Sequence, residues 1–380
     1  WTFKSLSLGG YTVDCPHRRE CGACSLLLVP YEEQLERKRR RLVEALERAL
    51  RLDRRRVLPT LPSPRITGYR NRAKMAISSD RAHRSKLGYF QRRSREVVDA
   101  PDCGVLVPEL LDTTRRLRGL LNSQRFPFEL RHVDMRCGSD PKQQHLTLVI
   151  TKDRMPRLPI EAIAEACPYV VGIGVNLNPK GGAQVIKGPV EPVLGAREIF
   201  VEVAGLELRV SPGSFFQVNL GVLPAIHSRM AGFLGGGRLL IDLYAGVGTH
   251  GIALRDSFGR VLCIEGVRGA VADARASLTS GQVANVEALA SPLRRALRRL
   301  GDERPDAVIL NPSAAGAEPQ VLEAIVASPA RRLAYLSCDP LTLARDLAAL
   351  TSGGFEIAEV QAVDMMPQTA QVEALALLRR

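Results

Sequence analysis

The 380-residue sequence lacks any apolar segment long enough to cross a membrane. A membrane helix needs about 18 or more consecutive apolar residues. The start of the chain also lacks the basic, apolar and small-residue pattern of a secretory signal, and the sequence contains no internal repeat or low-complexity tract. These absences argue against a membrane or secreted protein. We therefore expect a globular monomer in the cytoplasm with no membrane contact.

Acidic residues are few relative to basic ones. The chain has 53 Lys and Arg against 40 Asp and Glu, a formal net charge of +13. Residues 65–95 hold ten of the basic residues and a single acid, Asp80. Ring-bearing side chains are interleaved with these charges at Tyr69, His83, Tyr89 and Phe90. Because positive charges bind phosphates and flat rings stack on unpaired bases, this segment is predicted to bind RNA, with a plain basic hairpin as the alternative.

Residues 31–56, just before this segment, have the pattern of an amphipathic helix. Four leucines fall on one stripe, at positions 35, 42, 46 and 50, and arginines occupy much of the remaining surface. The stripe predicts that the helix packs against a core. The arginines are consistent either with a solvated face or with contact to RNA.

Four of the eight cysteines form a pattern: Cys15, Cys21, Cys24 and Cys103. In a cytosolic chain such clusters indicate metal binding or catalysis rather than disulfides. Three close thiols and one distant thiol suit an iron–sulfur cluster or a structural zinc ion. Zinc sites more often have two pairs of C-x-x-C spacing, so the pattern favours the cluster, with unligated thiols as the alternative.

The chain is predicted to be an α/β protein with three regions. Residues 1–104 form an N-terminal cysteine-cluster and basic RNA-binding region, and residues 105–207 a central mixed α/β RNA-binding domain. In residues 208–380, strands and helices alternate after position 237. Such alternation predicts a doubly wound, mostly parallel sheet that binds ligands at the carboxyl ends of its strands.

A glycine-rich turn at residues 242–248 ends one of these strands and opens a helix. Gly246 and Gly248 let the backbone turn sharply beside Tyr244, and Glu265 ends the following strand, where a carboxylate can hold ribose hydroxyls. The turn and the acidic strand end together predict a nucleoside-cofactor site. The residues of this turn match the glycine-rich turn that binds S-adenosylmethionine rather than the G-x-G-x-x-G turn that binds dinucleotides.

Cys338 lies at the end of a later strand of the same region. A thiolate can add reversibly to an electron-poor ring carbon when its surroundings lower its pKa or supply a base. Cys338 beside a cofactor site therefore suggests covalent group transfer onto a base. The alternative is an inert buried cysteine.

Five segments together resemble the RNA uracil-5-methyltransferase family over nearly the whole chain. They are the cysteine pattern, residues 68–74, residues 214–219 (Ser-Phe-Phe-Gln-Val-Asn), the glycine turn, and residues 337–340 (Ser-Cys-Asp-Pro) with 364–373. Members of this family make 5-methyluridine in ribosomal and transfer RNA. The resemblance implies a Rossmann-like class I methyltransferase fold and S-adenosyl-L-methionine as methyl donor. It also implies a 4Fe-4S cluster on the four cysteines and favours 23S rRNA over tRNA, in a form without the N-terminal barrel of longer relatives.

The resemblance also implies a mechanism. Cys338 would add to C6 of a flipped uridine, and C5 would then attack the donor's methyl carbon. Glu373 would remove the C5 proton as general base. Gln217 and Asn311 would lie near the cofactor and the target base.

One departure from the family concerns the segment that begins at Asn311. Residues 311–316 read Asn-Pro-Ser-Ala-Ala-Gly, where the family has a second proline and an arginine. The nucleophile and the base are retained, which favours an active enzyme. A tRNA uridine methyltransferase and a catalytically silent RNA-binding or assembly factor are the alternatives.

Overall fold

The computed structural model describes residues 13–79, 84–182, 185–292 and 300–380. Asp80 and His83 of the predicted RNA-binding segment lie outside these residues. The helices are α1 (Tyr31–Ala49), α2 (Pro108–Ser123), α3 (Ile160–Ala166), α4 (Leu223–Leu234), α5 (Thr249–Ala253), α6 (Arg268–Ser280), α7 (Pro319–Ala327) and α8 (Pro340–Ser352). The strands are β1 (Val57–Leu61), β2 (Arg72–Ser79), β3 (Ser85–Phe90), β4 (Val97–Asp99), β5 (Leu130–Cys137), β6 (Gln144–Ile150), β7 (Val170–Leu177), β8 (Glu191–Gly195), β9 (Ile199–Val203), β10 (Leu206–Val210), β11 (Gly237–Leu243), β12 (Phe258–Glu265), β13 (Val286–Ala290), β14 (Ala307–Leu310), β15 (Arg332–Ser337), β16 (Glu356–Val363) and β17 (Glu373–Arg379). Among the described residues, no helix combines the length and apolar composition that a membrane crossing requires.

The larger sheet has eight strands in the order β1-β16-β17-β15-β14-β11-β12-β13. All neighbours are parallel except β17, which is antiparallel to both β15 and β16. Side chains of β11 alternate between two cores: Leu240 packs with α4 and α6, whereas Leu239 and Ile241 pack with α1, α7 and α8. This mostly parallel sheet with helices on both faces is the Rossmann-like α/β architecture that the sequence predicted.

The second sheet has seven strands in the order β4-β3-β2-β5-β6-β7-β8. It is antiparallel apart from the β6–β7 pair. Helices α2 and α3 cover one face through residues such as Leu117 and Ile163, which pack on Val133 and Leu148. The hairpin of β9 and β10 packs into the core of the larger sheet beside α6.

The two sheets do not follow the predicted division at residues 104 and 207. Strand β1 belongs to the first predicted region, yet it pairs in parallel with β16 of the last. Strands β2 to β4 of the first region share a sheet with β5 to β8 of the second. Pairing between strands that lie far apart in the chain leaves no mark on local sequence patterns, so composition and turn signals alone did not reveal it.

Helix α1 is a packed amphipathic helix, as predicted. Leu42 and Leu46 are buried in the core that it shares with α8. Its buried polar residues reach the loop before β17: Lys38 Nζ lies 2.5 Å from Asp364 Oδ1, and the Tyr31 hydroxyl donates to Asp364 Oδ2 at 2.8 Å. The helix therefore holds a loop that leads directly into the candidate active site.

Candidate active site

A cavity of about 690 Å³ lies at the carboxyl ends of β11, β12, β14 and β15. It is lined by seven of the residues predicted to carry function: Gln217, Tyr244, Gly246, Glu265, Asn311, Cys338 and Glu373. Gly248 does not line it but caps α5 at the end of the glycine turn. The structure thus brings the predicted cofactor residues and the predicted catalytic residues to one place.

The glycine turn has three residues with left-handed backbone angles. Gly246 and Gly248 have φ values of 58° and 86°, which glycine adopts at no steric cost. Tyr244 has φ of 59°, a conformation that costs an L-residue about 1–2 kcal/mol. Its hydroxyl accepts a hydrogen bond from the backbone N–H of Glu318 at 3.1 Å. The turn is thereby held open toward the cavity.

Glu265 closes this turn from the neighbouring strand. Its Oε2 accepts from the backbone N–H of Gly246 at 2.9 Å, and its Oε1 accepts from Val267 at 2.8 Å. A carboxylate oxygen has two lone pairs, so both oxygens keep acceptor capacity. The carboxylate is therefore fixed beside the turn and able to accept from hydroxyl groups of a ligand.

Cys338 and Glu373 line the cavity as neighbours. Ser337 pairs with Ala374 in the β15–β17 ladder, so Cys338 and Glu373 occupy the next position of the same ladder. Partial burial of the thiol and the charge of Glu373 raise the pKa of Cys338 above 9.0. Burial alone raises the pKa of Glu373 from 4.5 to about 7. A carboxylate that titrates near neutral pH therefore stands next to a protonated thiol.

The segment at residues 214–219 is tied to residues 68–74 at the rim of the cavity. The side chain of Asn71 donates to the carbonyl oxygen of Gln217 at 3.2 Å, and its backbone N–H donates to Val218 at 3.1 Å. Asn219 donates to the carbonyl oxygen of Met365 at 3.2 Å. These bonds position Gln217, and beside it Phe215 leaves 62% of its surface exposed at the cavity.

Sequence reasoning missed two histidines beside Asn311. Nε2 of His250 lies 3.2 Å from the Asn311 side-chain nitrogen, and Nδ1 of His250 lies 3.1 Å from Nε2 of His227. His250 is the second residue after the glycine turn and could have been noticed there. Nothing in the sequence pairs it with His227, which lies on α4.

The structure places some side chains of the predicted RNA-binding segment at the surface and others in the interior, and RNA binding by the segment stays a prediction. Phe90 is exposed and contacts His132 edge-on, with ring centroids 6.3 Å apart. The predicted stacking role of Tyr69 is wrong, because Tyr69 is buried and its hydroxyl donates to the carbonyl oxygen of Pro367 at 3.0 Å. Arg72 is paired with the buried Asp134. The side chains of Tyr69 and Arg72 therefore connect parts of the fold.

Three of the four patterned cysteines lie on a loop that docks against the β3–β4 hairpin, and Cys103 follows β4. Gly22 on this loop donates to the carbonyl oxygen of Phe90 at 3.0 Å. Burial, followed by the thiols of Cys103, Cys21 and Cys15, raises the pKa of Cys24 to about 12. The four thiols therefore influence one another. Within the part of the chain that the structure describes, however, no three metal-ligating side chains come close enough to hold an ion, and the cluster stays a prediction.

Comparisons with known proteins show what the chain is similar to. A sequence model of the tRNA (uracil-5-)-methyltransferase family matches residues 208–380. An uncharacterized RNA methyltransferase of Synechocystis is 32% identical over 374 residues, covering 95% of this chain and 80% of the relative. Another from Gloeobacter violaceus is 31% identical over 380 residues, covering 96% and 82%.

Among solved structures, the tRNA (uracil-54, C5)-methyltransferase of Pyrococcus abyssi in complex with S-adenosyl-L-homocysteine is similar, with a TM-score of 0.76 and 26% identity. The match covers 94% of this chain and 86% of the archaeal one. Family model, relatives and structure agree on an RNA-modifying methyltransferase. The chain therefore belongs to the RNA uracil-5-methyltransferase family.

Proposed function

We propose that this protein transfers a methyl group from S-adenosyl-L-methionine to C5 of a uridine in RNA, through a covalent adduct on Cys338. The observation that carries the proposal is the Cys338–Glu373 pair, which stands in one cavity with the glycine turn. A nucleophile, a base and a nucleoside-binding turn in one cavity are what this reaction needs.

The methyl donor would bind along the turn. Glu265 would accept hydrogen bonds from its ribose hydroxyls, while Gly246 and Gly248 keep the backbone close to the nucleoside beside Tyr244. Gln217 lies on the same cavity wall as Phe215, where its amide would contact the donor. Each of these roles can be tested by substitution. The expected result is loss of donor binding without loss of the fold.

The chemistry follows from the ordinary reactivity of uracil. C5 is a poor nucleophile until a thiolate adds at C6, which places electron density on C5 and O4. C5 then displaces S-adenosyl-L-homocysteine from the methyl carbon. Glu373 removes the C5 proton, and the electron pair of that C–H bond expels the Cys338 thiolate and restores the ring double bond.

The pKa of Glu373 suits its task. Partial burial and the charge of Glu373 raise the pKa of the Cys338 thiol, so only a small fraction is thiolate at neutral pH. The thiol loses its proton to solvent before it adds at C6, which leaves Glu373 free for the C5 proton. Glu373 has a pKa of about 7 and is ionised in a large fraction of molecules at neutral pH. A general base works best when its pKa lies near the operating pH.

The proposal is tested by following labelled methyl groups from S-adenosyl-L-methionine into RNA. Cys338→Ala should abolish transfer, whereas Cys167→Ala, which removes a buried thiol of the other sheet, should retain it. Glu373→Gln should accumulate a protein–RNA adduct, because C5 can be methylated but the thiolate cannot leave. Undiminished turnover in Cys338→Ala would refute the covalent route, and RNA binding without transfer by the wild-type protein would favour a silent binding factor.

We further propose ribosomal RNA, of the 23S type, as the substrate. The support is the resemblance of the cysteine pattern to cluster-bearing members of the family. The Pyrococcus abyssi neighbour is a tRNA methyltransferase, so tRNA is the competing substrate. Mass-spectrometric mapping of 5-methyluridine in cells that lack the gene separates the two, since the modification should disappear from 23S rRNA and persist in tRNA.

We also propose that Cys15, Cys21, Cys24 and Cys103 hold a 4Fe-4S cluster. The support is the number and proximity of the thiols: such a cluster takes four thiolates, and Cys103, Cys21 and Cys15 lie near enough to Cys24 for their charges to act on it. A bound cluster would stabilise the loop against the β3–β4 hairpin. Protein purified without oxygen should be brown and contain about four irons per chain. A colourless, zinc-containing preparation would overturn this assignment.

A further inference from the structure

Two neighbouring histidines lie beside Asn311: His250 is buried and lines the cavity with Asn311, and His227 is half-buried behind His250. His250 is 1% exposed, on the short helix α5, and His227 lies on α4. The two rings meet edge-on, with centroids 5.3 Å apart and planes at 74°. Asn311 follows β14 and lines the cavity. The three side chains form one hydrogen-bonded row that ends at the site.

The row has a definite direction. The Asn311 side-chain nitrogen can only donate, so Nε2 of His250 must accept across the 3.2 Å between them. A neutral His250 then carries its proton on Nδ1 and donates it to Nε2 of His227 at 3.1 Å. Burial lowers the pKa of His250 to about 3 and that of His227 to about 4. Both rings are therefore neutral near pH 7, as this direction requires.

The direction decides what Asn311 offers to a ligand. With its nitrogen turned to His250, the amide leaves its oxygen for the cavity, and that oxygen accepts hydrogen bonds. A flipped amide would instead offer N–H groups. Uracil has an N–H donor at N3, whereas cytosine has an acceptor there. Since both pyrimidines have the C5–C6 double bond that Cys338 would attack, discrimination between them has to come from such hydrogen bonds.

We propose that His227 and His250 are positioning residues that hold the Asn311 amide with its oxygen toward the cavity, so that the site accepts uracil and rejects cytosine. This inference rests on the proposed uridine methylation. In this role both histidines act through Asn311, and His227, which does not line the cavity, has no other route to the base. Their removal should therefore change base selection more than donor binding.

A spectroscopic experiment tests the row in the wild-type protein. Protein with ¹⁵N-labelled histidine is studied by long-range ¹H–¹⁵N correlation at pH 7, and the six histidine rings are assigned with His250→Phe and His227→Phe. His250 should be neutral with its proton on Nδ1 and Nε2 bare. A proton on Nε2 of His250, or a charged ring, would overturn the proposal.

A double-substitution experiment tests the consequence. In His250→Phe the amide is free to flip, so the ratio of kcat/KM for uridine over cytidine at the same RNA position should fall by about tenfold, the size of one hydrogen bond. Asn311→Asp has an acceptor in either orientation. Adding it to His250→Phe should restore the preference for uridine, while donor affinity and thermal unfolding serve as controls of the fold.

The outcomes separate this inference from the proposed function. An unchanged uridine-to-cytidine ratio in His250→Phe, or failure of Asn311→Asp to rescue it, would overturn the role of the histidines while leaving uridine methylation intact. Absence of methyl transfer to uridine by the wild-type protein would instead remove the proposed function, and with it the base-selection role. The spectroscopic result would still decide how the row is protonated.

Discussion

At the scale of single residues, the pKa of Glu373 predicts how the reaction depends on pH. The carboxyl group has to be ionised to remove the C5 proton, and its pKa is about 7. Below that value the rate of release from the methylated adduct should fall about tenfold for each pH unit, because the ionised fraction of Glu373 falls by that factor. Single-turnover decay of the methylated protein–RNA adduct between about pH 5.5 and 8 measures this step without the contribution of the Cys338 thiol. A rate that stays constant below pH 7 would exclude Glu373 as the base.

The same raised pKa predicts a cost in stability. Glu373 binds its proton more tightly in the folded state than in the unfolded chain, so its contribution to stability is complete below about pH 4.3 and is lost as the pH rises to about 7. Glu373→Gln has no such loss. At pH 8 the variant should therefore be more stable than the wild type by about 3 kcal/mol, and the difference should vanish near pH 4. Urea unfolding at both pH values measures this, and a difference that does not change with pH would contradict it.

Which residues carry function was predictable only where a motif marks them. Cys338, Glu373 and the glycine turn each have recognisable neighbours in the sequence, and they line one cavity. His227 has no such neighbours. Its relation to His250 exists only because α4 and α5 pack on the same face of the sheet. A resemblance to a family also does not identify residues whose contacts are particular to this chain.

At the scale of elements, the contacts of α1 predict that this helix, which is distant in the sequence, controls the active-site loop before β17. Lys38 and Asp364 form an ion pair with side chains 1% and 0% exposed, and Lys38 also donates to the carbonyl oxygen of Met366 at 3.0 Å. Lys38→Met leaves the Asp364 charge buried without its partner. We expect this to destabilise the fold by about 3–5 kcal/mol.

The matched control is Arg37→Met on the same helix. Arg37 is exposed and pairs with Glu33 one turn away, at 2.6 Å. Such a surface pair contributes only about 0.3–0.5 kcal/mol. Chemical unfolding of both variants gives the comparison, and equal effects would mean that α1 does not hold the loop through Lys38.

Element types were easier to predict than element bounds or partners. The βα alternation after residue 237 corresponds to elements of the structure, whereas the helix predicted over residues 31–56 ends at Ala49. The pairing of the edge strand β1 with β16 was not predicted, since the local pattern of a strand is the same wherever its partner lies in the chain. Local patterns determine whether a segment is a strand. Long-range packing determines which sheet it joins.

At the scale of the whole molecule, the net charge of +13 raises the question of whether RNA binding depends on total charge or on its location. Arg93 and Arg95 are exposed on the turn between β3 and β4, inside the predicted RNA-binding segment. Arg54 and Arg55 lie elsewhere, with side chains 74% and 91% exposed. Changing either pair to glutamine removes the same charge from a different place, and the Arg54 and Arg55 variant also loses the exposed ion pairs to Glu47 and Asp53.

If the segment at residues 65–95 binds phosphates, only the Arg93→Gln, Arg95→Gln variant should lose affinity for RNA. Each lost phosphate contact should also reduce the slope of log affinity against log salt by about 0.7 on single strands, because fewer counterions are released on binding. Titrations of labelled RNA at several KCl concentrations measure both quantities. Equal losses in both variants would mean that total charge attracts RNA and that the β3–β4 turn is not the contact surface.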